Sequence, residues 1–182
     1  KTNKTYHILI NNTGGPAGGK ISEAQEDEFV KTFEAHLLNN HALTKLFAEG
    51  MKADNYGRII NIISTSVKQP LPNLGVSNTI RAAVANWAKT MANELGAFGI
   101  TVNNVLPGAT ETERLKTIIK TKMDKAGIAE DAVREEMLRE IPMKRFGKAE
   151  EVAAAVAFLA SPAAAYINGI NVPVDGGRTS SL

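Results

Sequence analysis

The chain has 182 residues, within the range of one domain, and 43% of them are hydrophobic, which is enough for a core. The formal net charge of +2 is small and dispersed, which excludes the concentrated basic face of a nucleic-acid-binding domain. There are no cysteines, and the three histidines lack metal-ligand spacing, so we expect no metal site. No apolar run approaches the roughly 20 residues that span a bilayer, and residues 1–6 do not resemble a signal peptide. We therefore expect a soluble, cytoplasmic protein.

Four short apolar runs are typical of β-strands, because isoleucine and valine dominate them and turn-forming residues adjoin them. They are residues 7–11, 58–64, 101–106 and 170–174. The first two are almost continuously hydrophobic, which predicts strands buried on both faces of a parallel sheet. Pro173 has no backbone N–H to donate and predicts that the last strand lies at an edge of the sheet.

Between these strands, apolar residues recur every three or four positions, which predicts amphipathic helices. The helical segments are residues 23–52, 77–98 and 150–160. This alternation of strands and helices indicates βαβ units and an α/β fold with a parallel sheet.

A long charged stretch, residues 111–145, interrupts the alternation with one or two amphipathic helices broken near Gly127. Long ordered connections in compact domains are often functional, so we expect a substrate lid here, with a solvated helical excursion as the alternative. Apolar residues in this stretch suggest an apolar lining, unless they face other helices. They are Met123, Ile128, Met137 and Leu138.

Small and hydroxyl-bearing residues follow the first three predicted strands, in segments 11–15, 64–66 and 107–110. In an open parallel sheet, ligands bind beyond the carboxyl ends of the strands. Ordinary turn chemistry would explain one such loop. Three loops at the same edge favour a binding crevice.

These segments resemble motifs of the short-chain dehydrogenases/reductases. Residues 11–14 resemble the family's Asn-Asn-Ala-Gly motif, and residues 57–64 resemble the strand that ends in its catalytic serine. Residues 107–112 resemble its Pro-Gly loop and the threonine beyond it. The tail, residues 145–177, is similar to the end of 3-oxoacyl-acyl-carrier-protein reductases. The order and spacing of these motifs are specific together, and the resemblance covers essentially the whole chain.

The resemblance implies a Rossmann-type fold, a three-layer, doubly wound parallel sheet. Residues 1–182 would be a single domain that lacks its N-terminal βαβ units and their glycine-rich phosphate loop. It also implies a nicotinamide cofactor, NADP or NAD, a choice left open because the residue that reads the ribose 2′ position lies in the missing part. The implied cofactor-binding residues are Asn11, Asn12, Thr13, Gly14, Arg81, Pro107, Gly108 and Thr112.

The sequence departs from the family at the catalytic positions. The resemblance implies an Asn, a Ser, a Tyr that transfers the substrate proton, and a Lys that lowers the pKa of the tyrosine and holds the nicotinamide ribose. Ser64 matches the serine that hydrogen-bonds the reacting oxygen. Ser77 stands at the tyrosine position, Arg81 at the lysine position and His36 at the asparagine position. A shift of helix register would instead bring Asn39 or Asn40 to the last of these.

These substitutions change the chemistry that the site can perform. A serine hydroxyl is a far weaker acid than a phenol, whose pKa is about 10, so Ser77 is a poor general acid. Arg81 can bind a ribose hydroxyl or stabilise an oxyanion, but it cannot relay a proton. Imidazole has an unperturbed pKa of about 6.5, which suits His36 to acid–base catalysis, with a packed helix histidine as the alternative. Lys68 and Tyr166 are weaker proton-donor candidates. Lys68 is expected at the surface, and Tyr166 is expected to pack or cap just before the last strand.

Three functions compete. The first is an NAD(P)-dependent oxidoreductase acting on a carbonyl or hydroxyl substrate with a non-standard proton donor, since proton transfer contributes only roughly 10²–10⁴-fold. The second is a catalytically degraded nucleotide-binding protein with a structural or regulatory role. The third is a P-loop NTPase, because residues 14–20 match G-x-x-x-x-G-K, but Ile21 replaces the Ser or Thr that binds Mg²⁺.

The resemblance also implies the partners. The substrate would be a small molecule, with an acyl thioester as one option, and neither nucleic acid nor membrane is expected. The family usually forms dimers or tetramers, so we expect a homodimer or homotetramer through helices 23–52 and 77–98.

Overall fold

Four parallel strands form one sheet in the computed structural model, which describes residues 4–181. The strands are β1 (Ile8–Asn12), β2 (Gly57–Ile62), β3 (Ile100–Pro107) and β4 (Asn171–Val174), and they lie side by side in chain order. Each begins and ends within two residues of its predicted run, and β4 pairs only with β3. The edge position of β4 was therefore correctly predicted from Pro173.

Helices connect the strands, and α1 runs into α2 without a break through one π-helical turn. The helices are α1 (Glu26–Phe33), the π-helical turn (Glu34–Leu38), α2 (Asn39–Ala53), α3 (Gly75–Leu95), α4 (Glu113–Ala126), α5 (Glu130–Arg139) and α6 (Ala149–Ala160). Short 3₁₀ turns occupy Ile21–Glu23, Thr65–Val67, Gly96–Phe98 and Pro162–Ala164. Among residues 4–181, no helix is both long and apolar enough to cross a membrane.

The core lies on both faces of the sheet, because successive strand residues point to opposite sides. Ile59 packs with α2 and α3 on one face, in a cluster that includes Met51 and Leu95. Its neighbour Ile60 packs on the other face, with Leu159 of α6. The result is the predicted three-layer α/β architecture of a Rossmann-type fold.

The first strand is less buried than its sequence predicts. β2 is buried along almost its whole length, but Ile8 and Ile10 of β1 are 50% and 41% exposed. Among residues 4–181, β1 pairs only with β2, and α6 packs against β2, β3 and β4, so the predicted burial of β1 on both faces is not seen in this part of the protein. Hydrophobicity alone does not distinguish a central strand from an apolar edge strand.

An asparagine from each strand joins a hydrogen-bonded row across the sheet. Asn11 Nδ2 donates to Asn61 Oδ1 at 2.9 Å, and Asn61 Nδ2 donates to Asn104 Oδ1 at 2.9 Å. Asn104 Nδ2 in turn donates to Asn171 Oδ1 at 2.8 Å. The four residues are register partners, so the row follows directly from the strand pairing. We call these four residues the asparagine ladder.

Segment 111–145 contains two helices, α4 and α5, with Gly127 between them in the left-handed conformation at φ +65°. Met123, Met137 and Leu138 pack in a cluster with Leu115 and Ile119, and Ile128 is 39% exposed. Met123, Met137 and Leu138 therefore pack the two helices together rather than line an open crevice, whereas Ile128 does neither.

Replacing Asn61 with leucine is expected to destabilise the sheet. Asn11 Nδ2 and Asn104 Oδ1 would both remain buried without a partner, at a cost of about 2–4 kcal/mol in the free energy of unfolding. Urea unfolding of the full-length protein measures this. Asn86→Ala, at an exposed position of α3, removes the same amide and is expected to change the free energy by less than about 0.5 kcal/mol. Equal effects of the two variants would contradict a stabilising role for the ladder.

Candidate functional site

The carboxyl ends of β1, β2 and β3 meet at one edge of the sheet, because the three strands are parallel and adjacent. The loops after them contain Thr13 and Gly14, Ser64, and Gly108 respectively. This edge is where ligands bind in open α/β sheets. The three loops that the sequence singled out therefore lie at the same edge of the sheet.

Arg81 lies against this edge from α3 and is only 7% exposed. Its Nη1 donates to the backbone oxygens of Ile62 at 3.2 Å and Ile63 at 2.9 Å, the two residues before Ser64. Burial and the nearby Arg114 guanidinium lower the pKa of Arg81 to about 10. Arg81 therefore remains a cation at neutral pH, held beside Ser64 by the end of β2.

His36 lies in the π-helical turn and is 2% exposed. Its Nδ1 shares a hydrogen bond of 3.0 Å with the Thr13 hydroxyl, which ties the turn to the loop after β1. Burial and, secondarily, the positive charge of Arg81 lower the pKa of His36 to about 4, against a small opposing effect of the Gly14 backbone. Consequently about one His36 in a thousand is protonated at pH 7. π-Helical turns are frequent at functional sites.

Ser64 and Ser77 approach the same region from different elements. Ser64 precedes the 3₁₀ turn Thr65–Val67, and its Oγ accepts a hydrogen bond of 3.1 Å from Ser66 N. Because Oγ is the acceptor there, the hydroxyl proton of Ser64 remains available to a ligand. Ser77 is buried on α3, four residues and about one turn before Arg81. The structure thus brings His36 to Arg81, and Arg81 to the backbone beside Ser64.

The other predicted cofactor-binding residues have different surroundings. The Asn11 side chain belongs to the asparagine ladder, and its Oδ1 is buried without a hydrogen-bond partner among residues 4–181. Asn12 and Gly14 are exposed, and Thr13 is half-buried beside His36.

The loop after β3 also closes tightly onto its neighbour. Pro107 is the last residue of β3. Gly108 follows it and lies close to the end of β4, so that a Cβ added to Gly108 would be 2.7 Å from the Cβ of Asp175. A side chain would therefore collide, which explains glycine at this position. Thr112 precedes α4, and its hydroxyl donates to Thr110 O at 3.3 Å.

Arg114, in the first turn of α4, is a residue that the sequence reasoning missed. Its Nη2 donates to Pro16 O at 2.6 Å, so α4 is joined to the loop after β1. A Cβ placed on Gly15 would be 3.4 Å from Arg114 Nη2 and 3.5 Å from Arg81 Nη2. Nothing in the sequence pairs positions 81 and 114, because their proximity depends on how α4 folds back over the sheet edge.

A cavity of about 370 Å³ adjoins the same region. Thr65, next to Ser64, lines it together with Glu140 from the end of α5 and the C-terminal residues Arg178 and Thr179. Arg178 and Glu140, which both line the cavity, form an ion pair. No group of three or more His, Asp or Glu that could hold a metal occurs among residues 4–181.

Three minor candidates are not supported. Tyr166 is fully exposed, and it precedes β4 at the opposite edge of the sheet, so the expectation that it packs there was wrong. Lys20 is paired with Glu23 at 3.0 Å, and the 3₁₀ turn Ile21–Glu23 intervenes before α1 begins at Glu26. A P-loop requires its lysine at the start of the following helix, so this geometry argues against an NTPase. Lys68 follows the Thr65–Val67 turn and is half-buried. In the described part of the chain, its side chain makes no hydrogen bond with the residues around Arg81.

Comparison with known proteins identifies the family. Residues 1–179 match the family model described as enoyl-(acyl carrier protein) reductase. The chain belongs to the short-chain dehydrogenase/reductase family. It is 35% identical over 175 residues to the NADPH-dependent reductase BacG of Bacillus subtilis, covering 96% of this chain and 68% of that protein. It is 37% identical over 172 residues to the 3-oxoacyl-(acyl-carrier-protein) reductase FabG of Vibrio cholerae, covering 93% and 65% respectively.

Solved structures agree with this assignment. The crystal structure of YwfH, an NADPH-dependent reductase involved in bacilysin biosynthesis, superposes with a TM-score of 0.92 at 34% identity, covering 98% of this chain and 68% of that one. A variant of the actinorhodin polyketide ketoreductase with NADPH gives a TM-score of 0.91 at 28% identity, covering 97% and 69%. The chain thus spans about two thirds of the length of these relatives, which are named oxidoreductases.

The low pKa of His36 predicts a specific dependence of stability on pH. The unfolded chain binds a proton at this histidine below about pH 6.5, whereas the folded chain does so only near pH 4. The contribution of neutral His36 to the free energy of unfolding is therefore fully present above pH 6.5. It is lost as the pH falls toward 4, and the total loss is at most about 3 kcal/mol. His36→Asn is expected to remove this dependence in urea unfolding between pH 6.5 and 4.5. If the free energies of unfolding of wild type and His36→Asn changed with pH in parallel, a buried neutral His36 would be contradicted.

Proposed function

We propose that this chain carries the active site of an NAD(P)-dependent oxidoreductase that interconverts a carbonyl and a hydroxyl group with a non-standard proton donor. The observation that carries the proposal is the Arg81 guanidinium, buried and anchored to the Ile62 and Ile63 carbonyls directly beside Ser64. A fixed cation and a free hydroxyl proton at one point are what a developing alkoxide requires. Membership of a family of reductases and dehydrogenases supports the reaction class.

The loops after β1 and β3 would hold a nicotinamide cofactor. A Cβ on Gly14 would meet nothing within 4 Å, so this backbone is open to a ligand. Thr13 and Gly14, with Gly108 and Thr112 in the loop after β3, would hold the cofactor, and a further N–H of the Arg81 guanidinium, other than those on Nη2, would donate to its ribose. When bound, the nicotinamide supplies or accepts the hydride. We propose NADPH, because the relatives BacG and YwfH are named NADPH-dependent reductases.

The catalytic roles follow from the geometry of the chain's own residues. Ser64 donates a hydrogen bond to the reacting oxygen, and Arg81 stabilises negative charge on it. His36 is neutral at working pH, so it does not supply a proton as an imidazolium. His36 shares a hydrogen bond with Thr13 through one ring nitrogen. To stay neutral, the imidazole can accept a proton on one nitrogen only if it releases a proton from the other, so we assign it the role of a proton relay. The proton of the product hydroxyl then comes from solvent.

A binding protein without turnover remains the second candidate. Ser77 replaces the tyrosine that the family uses, and the His36 imidazolium is almost unpopulated at neutral pH. Both observations favour slow chemistry. Cofactor binding without hydride transfer, in the full-length protein, would select this alternative.

Two further proposals concern the surroundings of the site. Segment 111–145 is proposed as a substrate lid, because Arg114 at its start contacts the loop after β1 and Glu140 near its end borders the cavity. We also propose a homodimer or homotetramer through helices 23–52 and 77–98. An apolar groove of about 420 Å³ between α1 and α3, lined by Phe29, Phe33 and Ile80, supports it. A monomeric mass by light scattering would contradict the second proposal.

Restoring the family's proton donor is expected to accelerate the reaction. NADPH oxidation is measured with a panel of ketones, oxo acids and 3-oxoacyl thioesters in the full-length wild type and in Ser77→Tyr/Arg81→Lys. If proton transfer limits turnover, kcat rises by about 10²-fold or more in the double variant. Circular dichroism and cofactor binding serve as folding controls. A folded, cofactor-binding double variant that turns over no faster would mean that proton transfer is not limiting.

Ser64→Ala is expected to lower kcat about 10²-fold, because it removes a hydrogen bond that strengthens as charge develops on the oxygen. Ser22→Ala, at an exposed position in the turn Ile21–Glu23, makes the same chemical change and should leave kcat unaltered. If the two variants were equally active, Ser64 would have no catalytic role.

A further inference from the structure

Arg81 and Arg114 form a close pair of cations at the crevice. Both Nη2 atoms lie within 3.5 Å of the position that a Cβ on Gly15 would occupy, so they are no more than about 7 Å apart. One guanidinium comes from α3 and the other from α4, and both lie beside Gly15 in the loop after β1. We call these two residues the arginine pair.

Neither member of the arginine pair has a carboxylate partner among residues 4–181. Arg81 donates to two strand carbonyls, and Arg114 donates to Pro16 O. Four other arginines in this part of the chain each contact a glutamate: Arg134, Arg139, Arg145 and Arg178. Arg58 lacks one, but its guanidinium lies over the Tyr56 ring and donates to the Gly57 and Gly99 carbonyls at the far end of β2. The arginine pair is therefore distinctive in being uncompensated at the site.

Placing two like charges together is unfavourable unless an anion joins them. The two guanidinium groups repel each other because they lie no more than about 7 Å apart. The Arg114 charge accordingly adds to the effect of burial in lowering the pKa of Arg81. His36, the remaining titratable neighbour of Arg81, also has a lowered pKa and adds no charge of either sign at neutral pH. An anion bound between the guanidinium groups would remove the repulsion and receive charge-assisted hydrogen bonds from both.

We propose that the arginine pair binds the carboxylate of a small oxo-acid substrate whose ketone lies at Ser64. This inference rests on the proposed oxidoreductase function and names its substrate class. Guanidinium groups match the planar, two-oxygen geometry of a carboxylate. Arg81 is almost fully buried, so it is reached by a small end group, while the exposed Arg114 can move from Pro16 O onto the ligand.

The position of the pair favours a substrate anion over the phosphates of a cofactor. Arg81 is fixed to the carbonyls of Ile62 and Ile63, next to the serine that contacts the reacting oxygen. Arg114 belongs to α4, the first helix of the segment proposed as the substrate lid. A carboxylate held there would place the adjoining ketone at Ser64, and its binding would also draw α4 toward the sheet edge.

A kinetic experiment compares charged and uncharged substrates in the full-length protein. The oxo acids that the panel identifies are assayed beside their methyl esters in wild type, Arg114→Gln and Arg139→Gln. In Arg114→Gln, KM for the oxo acid is expected to rise about 10- to 100-fold, the worth of a hydrogen bond to a charged group. KM for the ester and for NADPH should change less than about twofold. Arg139→Gln, which removes an exposed arginine from α5 of the same segment, should behave as wild type.

A binding experiment tests the arginine pair without requiring turnover. Malonate at millimolar concentration, with ionic strength held constant by NaCl, is expected to raise the melting temperature of wild type and Arg139→Gln but not of Arg114→Gln. Malonamide, the uncharged analogue, should have no effect on any of the three.

The outcomes separate this inference from the proposed function. If malonate stabilises the wild type through Arg114 but no substrate is reduced, the anion site stands and the oxidoreductase proposal fails. If esters are reduced as well as acids and malonate has no effect, the oxidoreductase proposal stands and the anion site is refuted. A rise in KM for NADPH rather than for the oxo acid, in Arg114→Gln, would assign the pair to the cofactor and overturn the proposal.

Discussion

The parallel pairing of four strands in fixed register is the constraint on which the site depends. The asparagine ladder enforces that register, since a shift by one residue would turn each amide to the opposite face of the sheet and leave buried polar groups without partners. With the register fixed, the carboxyl ends of β1, β2 and β3 align. Thr13, Ser64 and Gly108 consequently lie at the same edge of the sheet although they are far apart in the chain.

Charge at this crevice is arranged differently from a site built around a tyrosine and a lysine. Arg81 is held by strand carbonyls rather than by an acid, so its full positive charge remains available to a ligand. Burial, together with the same charge, lowers the pKa of His36, which shares a hydrogen bond with Thr13. The proposed reaction therefore depends more on electrostatic stabilisation than on direct proton donation by a side chain.

Segment 111–145 brings a second cation to this edge of the sheet. Its apolar residues pack mainly in one cluster between α4 and α5, and polar residues make two of its contacts with the rest of the protein. Arg114 and Glu140 make those contacts near the two ends of the segment, one at the loop after β1 and one at the cavity beside Thr65. The segment thus adds a cation to the crevice without adding to the main core.

The sequence by itself determined the strands, the helices, the family and the loops at the sheet edge. These depend on local patterns, namely apolar periodicity, turn residues and motif spacing. It also identified Ser64, Ser77, Arg81 and His36 as the positions where this chain differs from or matches the family's tetrad. Only the tertiary structure decided that four asparagines form a ladder, that burial lowers the pKa of His36, and that Arg114 lies beside Arg81. Each of these depends on which elements pack together, because burial and charge proximity are properties of contacts between residues distant in the chain.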